Sequence, residues 1–266
     1  MLPCAAWQSM TIGEGKNMFR LFREDAPIFE IGPKLYTYGK EAVKMAVLAD
    51  GLSEKYQVEI IFSAQYTDIR PIAEATKHIH VFSQHVDGLY PGRGLGGVLP
   101  EAVRDAGAQG TLLNHAERQM TLGQLDRAIR RCKEVGLYSM VCADSLEGCM
   151  AVACLGADAV LKESTDMIAM SNGKTHDLNA IASADRAIQA LVPGMIVLHG
   201  AGIRDETDVY NIIRAGARAT GSTSAIYKAA DPHLAVEKMI RAVRMAWDER
   251  RRGDAEICKY PETVTT

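Results

Sequence analysis

Apolar positions along this chain fall in short unbroken runs, each followed by an amphipathic stretch. Eight runs follow residue 27: 28–34, 58–64, 79–84, 110–114, 137–143, 158–162, 195–200 and 217–222. They are apolar on both sides and mostly rich in β-branched residues, the composition of strands covered on both faces. The last, ARATGS, is the poorest strand former of the set, because Ala, Arg and Gly have little β preference.

The stretches between the runs carry helical spacing. Ala42, Val43, Ala46 and Val47 share one face, and Thr121 with Gln124 makes a capping box ahead of Leu122, Leu125 and Ile129. Val209, Ile212 and Ile213 form a stripe that Gly216 stops. Asp231-Pro232 supplies a cap and a first-turn proline before Leu234, Ala235, Met239 and Ile240. Eight strand–helix units joined by right-handed crossovers leave an open doubly wound sheet or a closed barrel. Eight units in about 250 residues favour the closed form, so the fold class is α/β, a single-domain (β/α)8 barrel over residues 28–248. Residues 1–27 then read as an N-terminal extension and 249–266 as a polar C-terminal tail.

Composition narrows the partners. With 47% hydrophobic and 24% charged residues the chain can build a large core, and a net charge of −3 gives no reason to expect nucleic acid or an anionic membrane. Arg130-Arg131 and Arg250-Arg251-Arg252 read as solvated helix faces or tails. The six cysteines contain no CxxC pair and sit mostly in apolar segments, as small hydrophobes do in a reducing compartment. The N-terminus lacks a secretory pattern and no window reaches about 18 apolar residues, so the expectation is a soluble, cytoplasmic protein.

Barrels of this kind place their chemistry at the C-terminal ends of the strands and in the loops that follow. Lys34 ends the first run, His115 and Glu117 follow the fourth, and Glu163 follows the sixth, ahead of a loop, STDMIAMSNGK, long enough to close over a site. The turns Gly200-Ala201-Gly202 and Gly221-Ser222-Thr223-Ser224 are built of small residues whose backbone N–H groups can cradle a phosphate. A carboxylate, an imidazole, an ammonium and a phosphate nest suit proton transfer beside a carbonyl. Singly, His115 reads as a structural histidine, Glu163 as a solvated loop acid and Lys34 as a lysine with its head in water; their common rim favours chemistry. The GxGxxG at 92–97 is a weak nucleotide fingerprint, since it stands well after its strand between Pro91 and Pro100. His85 and Asp87 lack a third ligand, so no metal is expected. His199 stays open between substrate contact and a structural role.

Several of these segments resemble the triosephosphate isomerase family, most closely its short archaeal type. NHAER resembles the histidine signature, IGPKLYTY the lysine-bearing first strand, and FSAQYTDIRPIAE the second strand with its helix. QHVDGLYPGRGLGGVLPEAVRDAGAQGTLLNHAE resembles the third loop through to the histidine; VLHGAGI and STSAIYKAADP resemble the seventh and eighth loops. The resemblance spans about residues 28–240 and implies the barrel that bears this family's initials, the TIM barrel. It also implies an aldose–ketose isomerase acting on a small phosphorylated sugar, without cofactor, as a dimer or tetramer. It makes Glu163 the base, His115 a neutral electrophile and Lys34 a fixed positive charge, with Glu117 pairing Lys34 or a loop N–H. His115 is expected near the start of the helix after the fourth strand, whose positive end disfavours a charged ring. Ala169, Gly202, Thr223 and Ser224 would hold the phosphate.

Four positions depart from the family pattern. Gly32 stands where an asparagine is usual, two residues before the lysine, and Leu95 stands where the third loop carries a threonine. Those two groups normally meet across a subunit interface, so both partners of one contact are missing together. Ala116 replaces a serine, and the closing loop has Ser164 for a proline and Ala169 for a glycine. Loss of the asparagine is expected to leave space, which would suit a four-carbon or branched sugar phosphate as an alternative substrate. A barrel that keeps the phosphate site without catalysis is the rival from another class.

Overall fold

A computed structural model of the chain describes residues 21–163 and 178–257. Eight parallel strands run in chain order and close into a barrel, β8 pairing with both β7 and β1. They are β1 Ile28–Ile31, β2 Glu59–Ala64, β3 His80–Ser83, β4 Gly110–Leu113, β5 Tyr138–Ala143, β6 Ala159–Lys162, β7 Ile196–His199 and β8 Ala219–Ser222. The helices between and after them are α1 Gly39–Tyr56, α2 Ile69–Ala75, α3 Pro100–Asp105, α4 Leu122–Val135, α5 Leu146–Cys154, α6 Leu178–Leu191, α7 Glu206–Arg214, α8 Ser224–Tyr227 and α9 Pro232–Ile257.

Every predicted run therefore contains a strand, and the two-sided apolar pattern has a direct cause. Ile28, Ile61, Phe82, Leu112, Met140, Leu161, Leu198 and Ala219 pack together inside the barrel. Their alternates Phe29, Ile31, Ile60, Phe62, Leu113, Val141, Val160 and Val197 pack outward against the helices. β8 forms despite weak propensity because it is held from both sides, and its small residues fit a crowded place. A Cβ at Gly221 would meet Glu30 Cβ and O, both at 2.7 Å.

Helix boundaries follow their local chemistry. Thr121 accepts from the Gln124 N–H while the Gln124 side chain accepts from the Thr121 N–H, a complete capping box at α4. The Leu234 N–H donates to Asp231 Oδ1 at 3.0 Å at the start of α9. On α1, Ala42 and Ala46 are buried as the stripe requires, whereas Val47 is exposed.

Two readings of the chain's polar segments are corrected. Arg131 is buried rather than solvated: it hydrogen-bonds Glu101, Glu134 and the Leu89 carbonyl, tying the loop after β3 to α4. The segment 249–257 is helical, since α9 runs on to Ile257. Within 1–27, Phe22 closes the N-terminal end of the barrel, 4.9 Å from the His80 ring and 5.3 Å from the Tyr138 ring, both edge-on. Beside it Glu59 hydrogen-bonds His80 at 2.6 Å and pairs with Arg23. Among the described residues these side chains fill that end of the barrel, and a cleft opens at the C-terminal mouth.

Candidate active site

The mouth is shaped by two residues held in left-handed backbone, an unfavourable conformation for side chains other than glycine. Lys34 has φ 46° and Asn114 φ 59°. The Gln84 amide holds the first turn, donating to the carbonyls of Lys34 and Ser63 at 3.0 Å each. Asn114 tolerates this region and braces its own turn, donating to the Cys142 carbonyl at 3.0 Å and accepting from the Met120 N–H at 2.9 Å. The turn it braces carries His115.

These turns bring the ionisable groups to one cleft of about 320 Å³, lined by Glu30, Lys34, His115, Glu117, Glu163 and Thr223 among others. His115 Nε2 lies 3.1 Å from Glu163 Oε2. The approach is out of hydrogen-bond alignment, so Oε2 is buried without a hydrogen-bond partner among the described residues. A carboxylate oxygen left free beside an imidazole is available to a ligand. The backbone N–H of Glu117 donates to His115 Nδ1 at 3.1 Å. That occupies the Nδ1 lone pair, and the neutral ring then carries its proton on Nε2, facing the cleft. Here the structure differs from the expectation of a helix start: α4 begins only at Leu122, so a turn N–H, not a helix end, orients the ring. Lys34 Nζ donates to Glu117 Oε1 at 3.3 Å. Next to Glu163, Gly200 leaves room for the carboxylate, since a Cβ there would lie 3.1 Å from Oε1.

The cleft thus gathers Lys34, His115, Glu117, Glu163 and Thr223. Gly202, with φ 74°, lies in the turn after β7 and Ser224 opens α8, both outside the cleft lining. Ala169 falls outside the described residues. His199 takes the structural option: it is buried and hydrogen-bonds Asp185 of α6 at 2.7 Å, away from the cleft. His85 pairs with Asp87 at 3.1 Å.

The residue that the sequence pattern hid is Glu30. It sits in the middle of the first apolar run and points into the barrel, where Ser63 Oγ–H donates to its Oε1 at 2.6 Å. The space expected from the loss of an asparagine at 32 is not empty: a Cβ on Gly32 would lie 2.8 Å from Glu30 Oε1 and 3.2 Å from Oε2. Burial pushes the Glu30 carboxyl up to about 7, helped by Glu163 and opposed by the Ser63 hydrogen bond and the charges of His115 and Lys34. The signals available were an acid inside a two-sided apolar run and the glycine two residues after it.

Fold and cleft together define a (β/α)8 barrel that carries its ionisable groups at the C-terminal mouth. The sequence model for triosephosphate isomerase matches residues 33–182. The triosephosphate isomerase of Sulfurisphaera tokodaii is 35% identical over 229 residues, covering 85% of this chain and 99% of that protein. The triosephosphate isomerase of Metallosphaera sedula is 34% identical over 230 residues, covering 84% and 99%. The crystal structure of triosephosphate isomerase from Bartonella henselae superposes with a TM-score of 0.67 at 12% identity, covering 82% of this chain and 99% of that one, a likeness of fold. The chain belongs to the triosephosphate isomerase family.

Proposed function

We propose that this protein is a triosephosphate isomerase, interconverting dihydroxyacetone phosphate and glyceraldehyde 3-phosphate through an enediolate. The observation that carries the reading is the convergence of Glu163, His115 and Lys34 on one cleft in a chain of this family. Glu163 takes a proton from C1 of the ketose; the C–H electron pair becomes the C1=C2 bond and the carbonyl pair moves onto the C2 oxygen. His115 Nε2–H donates to the oxygens on which negative charge develops, and the Lys34 ammonium stabilises the same charge. Return of the proton to C2, with O–H protons redistributed between the two oxygens, gives the aldose.

Phosphate binding is assigned to the turns carrying Gly202, Thr223 and Ser224 and to Ala169. Glu117 holds Lys34 in place. The exposed side chains Leu35, Tyr36, Tyr38 and Leu95 in the loops after β1 and β3 support a homo-oligomer, which sedimentation would reveal as a mass above one chain. No described helix is long and apolar enough to cross a membrane. A coupled assay of both directions over three- to five-carbon sugar phosphates tests the reading. Turnover of the triose phosphates is expected; turnover restricted to a longer sugar would displace it. Glu30 filling the room beside Gly32 removes the structural motive for a larger substrate.

A further inference from the structure

We infer that Glu30 is a specificity-determining residue of the mouth cleft: its carboxyl takes the room a side chain at position 32 would need and hydrogen-bonds an oxygen of the bound sugar. The inference rests on the isomerase reading of the same cleft. Three small residues on three strands or strand ends are arranged around this one group. A Cβ on Gly32 would crowd Oε1 at 2.8 Å, a Cβ on Gly221 would crowd Oε2 at 3.0 Å, and Ser63 supplies a hydroxyl to Oε1 at 2.6 Å. Among the described residues Ser63 is its one hydrogen-bond partner, and no cation stands within ion-pair distance. A buried carboxyl kept only for architecture would be expected to have a cation or several donors, as Glu59 does. Glu30 instead lines the cleft beside the groups assigned to the reaction.

The charged state follows from its surroundings. The groups facing it are Lys34 after β1, Ser63 on β2, His115 after β4, Cys142 on β5, Glu163 after β6, and Thr223 and Tyr227 after β8. A phosphorylated sugar adds further negative charge among them, so the loaded site favours the protonated acid. Its O–H is then a donor to a substrate oxygen, a task the asparagine amide usual at 32 could also perform.

The test uses the full chain, dihydroxyacetone phosphate and the variants Glu30→Leu and Glu30→Gln, with kcat, KM and melting temperature followed between pH ~6 and ~9. Wild-type kcat/KM is expected to fall as pH passes about 7, the range in which Glu30 ionises. Glu30→Leu lowers kcat/KM about tenfold or more, through KM as well as kcat. Glu30→Gln recovers most of that loss and flattens the fall above pH 7, because an amide resembles the neutral acid. The substrate's own phosphate titrates alike in every variant, so it cancels from the comparison. Wild-type kinetics and pH profile in Glu30→Gln would overturn the inference, even should Glu30→Leu fail to fold. Failure of the isomerase reading shows separately, as absence of wild-type turnover; calorimetry with dihydroxyacetone phosphate then decides. Binding weakened about tenfold in Glu30→Leu sustains the contact, and equal binding, or none by the wild type, overturns it.

Discussion

Two buried glutamates at opposite ends of one barrel lead different lives. Glu59, 6% exposed at the closed end, works against burial with hydrogen bonds from His80 and Arg23, and these together hold its carboxyl below the usual range. Glu30, 7% exposed at the open mouth, has the Ser63 hydroxyl as its one hydrogen-bond partner among the described residues, and burial dominates. Similar exposure thus goes with opposite shifts, because Glu59 is hydrogen-bonded directly by His80 and Arg23, whereas Glu30 lies deeper and Lys34 and His115 act on it only from a distance. The closed end is wired for stability. Among the described residues the mouth keeps groups poorly satisfied, as with Glu30 and with Oε2 of Glu163, which lies 3.1 Å from His115 Nε2 without a hydrogen bond, and a ligand is what would complete them.

Four substitutions separate the two ends of the barrel. Glu163→Gln is expected to lower kcat by about 10³-fold, the usual worth of a positioned base, with unchanged melting; steady-state kinetics and circular dichroism check both halves. Phe22→Ala at the other end is expected to do the reverse. It removes a buried ring packed on His80 and Tyr138, costing about 3 kcal/mol in denaturant unfolding, with kcat/KM unaltered. A large kinetic effect of Phe22→Ala would dissolve the division between the ends.

Glu30→Gln sharpens the same contrast through pH. A carboxyl at 4.5 when unfolded and about 7 when folded binds its proton more tightly in the folded chain. The stability this lends is full below pH 4.5 and lost once pH exceeds about 7. Glu30→Gln should therefore gain up to about 3 kcal/mol on wild type at pH ~8 and little at pH ~4.5, read from urea midpoints at the two values. The smallest effect is expected at Glu117, whose side chain is 65% exposed and whose carboxylate holds Lys34 at 3.3 Å. An exposed pair of this kind is worth at most about 1 kcal/mol, so Glu117→Gln should change kcat/KM about fivefold or less; the carboxylate also stands 3.8 Å from His115 Nδ1, but the backbone N–H that donates to that nitrogen survives the change.

Much of this was visible in the chain, and the remainder was hidden for physical reasons. His115 and Glu163 were legible because they break abruptly from apolar runs, and strand ends are where a barrel exposes side chains. The eight strands were legible because a sheet covered on both faces tolerates few polar residues. Glu30 escaped because a single acid inside IFEIGPK carries no spacing signal; only the packing shows that Gly32, Ser63 and Gly221 make room for it. Arg131 was misread as solvated because helix periodicity says nothing of the Leu89 carbonyl that folds back over it. Gln84 and Asn114 brace the two left-handed turns through hydrogen bonds to distant carbonyls, which no local pattern announces.

Removal of a carbon-bound proton at the open mouth is assigned to the carboxylate at 163, and solvent deuterium exchange reads that step. In heavy water, dihydroxyacetone phosphate incubated with the wild-type chain should acquire deuterium at the carbon beside the carbonyl, seen by NMR, while Glu163→Gln leaves it unlabelled. Bound but unlabelled ketose with the wild type, or equal labelling by Glu163→Gln, would contradict the account.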